Sequence, residues 1–321
     1  MTDTSTQERA FITGGAGFIG SHLAEHLLRM GSMVTAYDNF DDYYGSKELN
    51  IDFAGKDPNY KFVKGDILDQ DNVNESFKDS EILYHLAAQP GVRFSIENPH
   101  KTFRVNFQGT LNVLEGARRL DIKKIVFASS SSVYGDPKSL PVREDSKLEP
   151  ISPYGLSKFF GEKACLQYSQ IYGLRVVILR YHTVYGPRQR PDMAFRKWIL
   201  SLLHKKPPVI YGDGNQTRDF TYIDDIIEGT VRAALIKEAE GEVFNLGSCR
   251  STNVNTIVSI LQELMDSKNI QPAYEEKKIG DVQDTLADVS KAKAIIGYKA
   301  DTSLKVGLKN EVDWCLKHLQ V

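Results

Sequence analysis

Thr13-Gly14-Gly15-Ala16-Gly17-Phe18-Ile19-Gly20 is the stretch that decides the fold. The apolar run Ala10–Ile12 before it reads as a first strand, and Ser21–Met30 after it reads as a helix opening on Gly20. Glycines at 14, 17 and 20 let the backbone turn tightly and approach a pyrophosphate, which then rests on the helix amino terminus. Three glycines at this spacing are a weak signal alone, because any tight strand–helix turn favours them. A second strand, Met33–Tyr37, follows and ends at Asp38. An acid about 20 residues after such a loop meets the adenosine ribose hydroxyls and repels a 2′-phosphate. The expectation is a dinucleotide site on Gly14, Gly17, Phe18, Ile19, Gly20 and Asp38 that prefers NAD to NADP.

Working outward, β-prone runs recur at Tyr60–Val63, Ile82–Leu86, Lys124–Ser129 and Arg175–Arg180. Helical patterns separate them at Gln70–Lys78, Pro99–Leu120 and Pro153–Tyr172. Alternating strands and helices predict an α/β fold, a doubly wound parallel (Rossmann) sheet. After residue 180 the rhythm breaks into segments punctuated by Pro and Gly, with helices expected at Asp224–Lys237, Val254–Asp266 and Thr302–His318. Residues 1–180 are thus assigned mainly to the dinucleotide domain. Residues 181–321 are assigned mainly to a smaller α/β substrate-binding lobe, with some segments returning to the first domain and a cleft between the two.

Composition narrows the function. The chain of 321 residues is 41% hydrophobic and 26% charged, as in globular proteins. A net charge of −2 gives no general attraction to nucleic acid or an anionic membrane, so a phosphate-bearing ligand must be held locally. No apolar run approaches the roughly 18 residues of a membrane span. Met1–Glu8 is polar and lacks a signal-peptide core, which makes the cytoplasm the expected compartment. Cys165, Cys249 and Cys315 share no metal-like spacing, and His22 and His26 sit one helical turn apart after the glycine loop; no metal site is expected.

Tyr154-Gly155-Leu156-Ser157-Lys158 places a phenol and an ammonium on one helical face. Such an ammonium is expected to lower the phenol's pKa from about 10 toward neutrality, making it a usable general base. Spacing proves little, since Tyr43/Lys47, Tyr60/Lys64, Tyr134/Lys138 and Tyr274/Lys278 share it. Tyr154 differs in context: the strand before its helix ends in Ser129-Ser130-Ser131-Ser132-Val133-Tyr134-Gly135, and strand ends in such sheets face the ligand crevice. A serine hydroxyl there can bond the oxygen whose proton the tyrosine removes.

With these residues in view, the chain resembles the extended short-chain dehydrogenase/reductases, in particular their nucleotide-sugar epimerases, dehydratases and decarboxylases. The likeness runs through Thr13–Gly20, Asp38-Asn39, Gly65-Asp66-Ile67, His85-Leu86-Ala87-Ala88-Gln89, Val105-Asn106, the serine run, Tyr154/Lys158, Tyr185-Gly186-Pro187-Arg188 and Arg218-Asp219-Phe220. It implies that Asp38 and Asn39 meet the adenosine ribose, that Asp66 and Ile67 flank the adenine, and that Ala87, Ala88 and Gln89 line the cofactor path. It further implies that Asn106 orders the site, that Lys158 also holds the nicotinamide ribose, and that Arg218 clamps a nucleotide diphosphate. The implied catalytic set is Tyr154, Lys158 and Ser130, acting with an NAD that stays bound and is regenerated each cycle. The resemblance also implies a homodimer, in which the helices at Pro99–Leu120 and Pro153–Tyr172 pair with their copies.

Single positions separate the branches. Dehydratases of this group carry an Asp-Glu pair where Ser131 and Ser132 stand, and the decarboxylases a glutamate at the Ser132 position. Serines cannot do that acid–base work, which leaves 4-epimerisation. Tyr181–Ala194, with Thr183, Arg188 and Arg190, looks like the signature of UDP-glucuronate 4-epimerases, and Gln89–Arg93 fits the same group; His182 departs from it, replacing an aromatic residue. The alternatives are a UDP-N-acetylglucosamine or UDP-glucose 4-epimerase and, behind it, a UDP-glucuronate decarboxylase or a non-catalytic NAD-sensing protein. Oxidising C4 of a glucuronate creates a β-keto acid that loses CO₂ when its C5–C6 bond lies perpendicular to the ketone. Hydroxyls of Ser130, Ser131 or Thr183 are expected to hold the carboxylate out of that alignment, with Arg190 supplying charge. Tyr211 is a candidate neighbour of the uracil or a plain packing residue, and Asp281 a ribose ligand or a solvated acid.

Overall fold

The computed structural model describes residues 8–319 apart from Ser46, Lys56 and Ile279. The polar opening Met1–Glu8 lies, except for Glu8, outside the described residues. Six strands run in sequence: β1 (Arg9–Thr13), β2 (Met33–Asp38), β3 (Tyr60–Lys64), β4 (Ile82–His85), β5 (Lys124–Ser130) and β6 (Val176–Tyr181). The second half adds β7 (Thr183–Tyr185), β8 (Val209–Tyr211), β9 (Thr217–Tyr222), β10 (Val243–Leu246), β11 (Ser251–Asn253) and β12 (Ala273–Glu275). Seven of these form one parallel sheet in the order β10-β6-β5-β4-β1-β2-β3.

Both faces of the sheet are covered, so its strands read as continuous apolar runs. Every residue of β4 and β6 is buried. Successive residues of one strand feed opposite core layers: Phe11 joins Leu83, Ile125 and Ile178, whereas Ile12 joins Val34, Val126 and Leu179. The strand order reverses between β1 and β4, and there a doubly wound sheet opens a ligand crevice at its carboxyl edge.

The second half builds a three-stranded sheet, β11-β9-β7, and a parallel pair, β12-β8. It also sends two elements back. Strand β10 pairs with β6, Val243 opposite Ile178, and the helix Ile223–Leu235 packs on the glycine-loop helix. The sequence shows β10 only as part of the glycine-punctuated segment Gly241–Thr252, and misses the helix Ala194–Leu203 as well.

Two helices differ from their sequence reading in ways that matter for the site. The glycine-loop helix spans Phe18–Arg29 and starts at Phe18, not Ser21. Gly17 is its extended N-cap, donating to the Gly14 carbonyl at 3.0 Å and offering no side-chain cap, so the helix begins a turn earlier. The long helix breaks into Pro99–Phe103, a π turn at Arg104–Gln108, and Gly109–Arg119. The π turn carries Asn106, whose amide accepts from Gln89 N (2.6 Å) and donates to Gln89 O (3.1 Å) and Ser157 Oγ (2.9 Å). Such bulges re-aim a side chain at a functional site.

No helix among the described residues is long and apolar enough to cross a membrane. Cys165 and Cys315 are buried free thiols and Cys249 is an exposed one.

Candidate active site

The glycine loop is shaped by close approach. Gly14 has φ +72°, and a Cβ there would lie 2.8 Å from the Ala87 backbone nitrogen; one at Gly20 would lie 2.1 Å from the Gly14 carbonyl oxygen. The uncapped first turn from Phe18 presents open N–H donors, as an anion site requires. Thr13 locks the loop to the next strand: its hydroxyl accepts from Ala87 N (3.1 Å) and meets His85 Nδ1 (2.7 Å), while His85 Nε2 meets Thr110 (3.0 Å). Burial drives His85 down to about 3, so it stays neutral and serves as a strut.

Asp38 ends β2 almost buried, at 7% exposure, and accepts from Ala16 N (3.2 Å) and Phe40 N (2.9 Å). Asn39 donates to Asp66 at 3.1 Å, which ties together the two segments expected around the adenosine. Gly14, Gly17, Phe18, Ile19, Gly20, Asp38, Asn39, Asp66, Ile67, Ala87, Ala88 and Gln89 line one cleft. Tyr154, Lys158 and Arg190 line it too. Asn106 stands behind it, acting through Gln89 and Ser157. These residues fit a dinucleotide: glycines where a Cβ would clash, open helix N–H donors, and an acid at the strand end.

Tyr154 and Lys158 sit on the helix Pro153–Tyr172, capped by Ser152, whose hydroxyl accepts from Gly155 N at 3.1 Å. Ser130 caps the turn Ser131–Tyr134, accepting from Ser132 N at 3.1 Å, and shares a hydrogen bond with the Tyr154 phenol. The expected tuning of that phenol by Lys158 is not what the structure shows. Burial raises the Tyr154 pKa, and the groups that counter it are Arg190 first and Ser130 second. Lys158 turns instead to the Ala128 carbonyl at the end of β5, at 2.8 Å. Helical spacing fixes which face a lysine leaves from, not where four methylenes carry its ammonium.

Burial pushes Lys158 from 10.5 down to about 8, against the pull of Cys165 and Glu162. Between about pH 8 and the ordinary lysine range, the unfolded chain holds this proton and the native one does not. Stability contributed at Lys158 therefore rises with pH across that window. Urea midpoints of wild type and Lys158→Met should diverge from about pH 8 to about pH 10 by on the order of 2 kcal/mol, wild type gaining. Parallel midpoints would place the Lys158 pKa elsewhere.

A second cluster joins Arg93 to residues of the second half of the chain. Arg93 pairs with Asp281 (2.9 Å) and stacks over the Tyr211 ring at 4.4 Å, with Lys278 at 4.9 Å from the same ring. Arg218 is largely buried and donates to the carbonyls of Val282 (2.7 Å) and Gln283 (3.0 Å). Arg93, Tyr211, Arg218 and Asp281 thus come together at the mouth where β8, β9 and the 281–283 segment meet. Thr183 opens β7 half-buried, opposite Phe220 on β9.

Two arginines stand differently from their sequence reading. Arg188 does not line the cleft: it pairs with Glu25 at 2.6 Å, covers the Phe53 ring at 4.8 Å, and braces the loop against the glycine-loop helix. That contradicts its assignment to substrate. Arg190 lines the cleft and gives Nε and Nη2 to Asp192, at 2.9 and 3.0 Å, so much of its charge is already matched. Tyr43, Tyr44, Lys47 and Tyr181 also line the cleft and escaped the sequence reading. For Tyr43 and Tyr44 the one legible signal was the density of aromatics in the loop after Asp38.

The comparisons with known proteins agree with this geometry. The model of the NAD dependent epimerase/dehydratase family matches residues 10–247. A UDP-glucuronate 4-epimerase of Thermodesulfobacterium geofontis is 39% identical over 316 residues, covering 97% of each chain. The crystal structure of UDP-glucuronic acid 4-epimerase from Bacillus cereus, in complex with UDP-glucuronic acid and NAD, superposes with a TM-score of 0.91. It is 40% identical and covers 96% of this chain and 99% of its own. The UDP-glucose 4-epimerase of Thermotoga maritima, solved with UDP-glucose, gives 0.90 at 33% identity over 97% of this chain and 99% of its own. The glycine loop, the acid ending β2 and the Tyr154 helix all fall within the matched region, and this chain belongs to the NAD dependent epimerase/dehydratase family.

Proposed function

We propose that this chain is an NAD-dependent UDP-glucuronate 4-epimerase, interconverting UDP-glucuronate and UDP-galacturonate through a transient 4-keto sugar. One observation carries the reading. Tyr154, bonded to Ser130, shares a cleft with the glycine loop, and serines rather than acids stand at 131 and 132. Two relatives, 39% and 40% identical, are UDP-glucuronate 4-epimerases by name, which supports the uronic acid.

In this reading Gly14, Gly17, Phe18, Ile19 and Gly20 hold the NAD pyrophosphate, and Asp38 and Asn39 the adenosine ribose. Asp66 and Ile67 flank the adenine, Ala87, Ala88 and Gln89 line the path, and Lys158 takes the nicotinamide ribose. When bound, NAD supplies the hydride acceptor and donor for C4 of the sugar. Tyr154 removes the 4-hydroxyl proton and later returns it, while Ser130 fixes that oxygen. Charge on the phenolate is supported by Arg190. Arg93 with Tyr211, Arg218 and Asp281 hold the nucleotide end, so the hexose can turn about the diphosphate. Ser131, Ser132 and Thr183 offer hydroxyls that bind the carboxylate without fixing one pose.

Incubation with UDP-glucuronate, UDP-glucose and UDP-N-acetylglucosamine without added cofactor, read by NMR, tests this. UDP-galacturonate should form fastest; preferential conversion of a neutral or N-acetylated sugar would move the assignment to that epimerase, and no conversion would favour a sensing protein. In the same assay Arg190→Ala should raise the CO₂ released per epimer severalfold, since it leaves the carboxylate freer to align; an unchanged ratio removes that role. We also assign a cytoplasmic homodimer. Phe103, Phe107, Phe159 and Phe160 form an aromatic face on the two long helices, with Phe160 39% exposed. Light scattering should give twice the 36.1 kDa chain mass.

A further inference from the structure

The loop after β2 carries two adjacent tyrosines for which the reaction has no role. Tyr43 donates its hydroxyl to Asp192 Oδ2 at 3.0 Å, joining segments 149 residues apart. Asp192 is also the carboxylate that grips Arg190, and Arg190 lines the cleft with Tyr154. The Tyr43 ring meets Phe94 edge-on at 4.9 Å, and Asp41 pairs with Lys101 at 2.8 Å. The strap Asp41–Tyr44 therefore crosses from the dinucleotide domain to the loop of the second lobe, tied on both sides.

Burial, and then Asp192, push the Tyr43 phenol up to about 12, which keeps it protonated as a donor. Burial opposes charge on Asp192, but Arg190 outweighs it and holds that carboxyl below its usual range. A neutral donor on a charged acceptor is the stronger kind of hydrogen bond.

Tyr44 goes elsewhere. Its hydroxyl lies at the start of the glycine-loop helix and accepts from the Phe18 N–H, and a Cβ on Gly17 would sit 3.7 Å from it. Phe18 N–H is also one of the first-turn donors that a pyrophosphate at this helix end would use. The phenol and the phosphate thus want one donor.

We propose that the strap Asp41–Tyr44 governs exchange of the dinucleotide: Tyr43 is a positioning residue that latches it to Asp192 and Arg190, and Tyr44 is a built-in competitor at the pyrophosphate cradle. This rests on the NAD reading above. The two neighbouring tyrosines then act with opposite sign. Tyr43→Phe keeps the ring and loses the latch, so bound NAD leaves faster. Tyr44→Phe keeps the ring and frees the Phe18 N–H, so NAD binds more tightly.

The experiment loads the full-length protein with radiolabelled NAD, chases with unlabelled NAD, and follows label retained on a filter. Release from Tyr43→Phe should be roughly tenfold faster than from wild type, the loss expected for one hydrogen bond to a charged group. Asp192→Asn breaks the same latch from the other side and should also speed release; the combined variant should fall short of the product of the two effects. Tyr44→Phe should lower the equilibrium Kd for NAD severalfold. Unchanged release in both latch variants, or weaker NAD binding by Tyr44→Phe, overturns the proposal. A wild-type protein that retains no label overturns the NAD reading itself, a result distinct from retention with equal rates.

Discussion

Tyr154→Phe should lower kcat on UDP-glucuronate by about a thousandfold, within the range general acid–base groups contribute. The substitution removes one oxygen and leaves the ring in place. Its helix stays capped by Ser152 and docked through Ser157, which Asn106 holds at 2.9 Å. Ser130 loses one partner but still accepts from Ser132 N. Stability should therefore change by about 1 kcal/mol, the net worth of a single hydrogen bond. UDP-glucuronate affinity, measured calorimetrically, should stay within a few-fold because the proposed contacts to the nucleotide end, Arg93, Tyr211 and Arg218, are untouched. A variant that turns over at more than a tenth of the wild-type rate would take the base away from Tyr154. Because burial raises this phenol, the wild-type rate should also climb with pH as the phenolate becomes accessible.

The largest loss of stability should come from Arg180→Ala. Arg180, next to last in β6, gives Nε and Nη2 to the two carboxylate oxygens of Glu162, at 2.9 and 2.8 Å, with side chains only 4% and 2% exposed. Its Nη1 reaches the Tyr134 hydroxyl (2.8 Å) and the Glu144 carbonyl (2.9 Å). Glu162 stands on the helical face of Tyr154 and Lys158, at the same four-residue spacing, and also accepts from Ser129. The pair thus docks the catalytic helix to the serine turn. Removing one buried partner strands the other charge, which costs about 3–5 kcal/mol. Arg180→Met with Glu162→Leu removes both charges and should recover most of that loss. Urea midpoints of wild type, Arg180→Ala and the double variant decide it: a double variant as unstable as Arg180→Ala would show that the network, not the stranded charge, sets the cost.

What the sequence made legible was local. The turn of Gly14–Gly20 and the acid closing β2 sit within about 25 residues, and both follow from backbone sterics that act at short range. The helix Pro153–Tyr172 announces itself by Ser152 before Pro153 and Gly173 after Tyr172, and its bounds were read correctly. Strand β10 was not legible because its four residues gain their structure from β6, more than 60 residues earlier. The Tyr43–Asp192 contact spans 149 residues and rests on hydroxyl geometry that no pattern encodes. Arg188 and Lys158 failed for one shared reason: a long side chain has a known root and an unknown tip, and neighbours such as Glu25 and the Ala128 carbonyl decide where it ends.

These placements fit a division of labour in the second lobe. Arg188 spends its charge on the framework, and Arg190 shares its charge between Asp192 and the cleft, so that in the proposed reading hydroxyls supply most of the contacts to the sugar. A 4-keto uronic acid that must rotate before it is reduced is better served by weak, replaceable contacts than by a fixed ion pair.

The direct test of a C4 oxidation and reduction inside one closed site follows the hydrogen on that carbon. UDP-[4-²H]glucuronate incubated with the purified protein in ordinary water, with no cofactor added, should yield UDP-galacturonate with deuterium still on C4. Deuterium replaced by solvent hydrogen at C4 would mean that a proton, not a hydride, leaves that carbon, and would contradict the account.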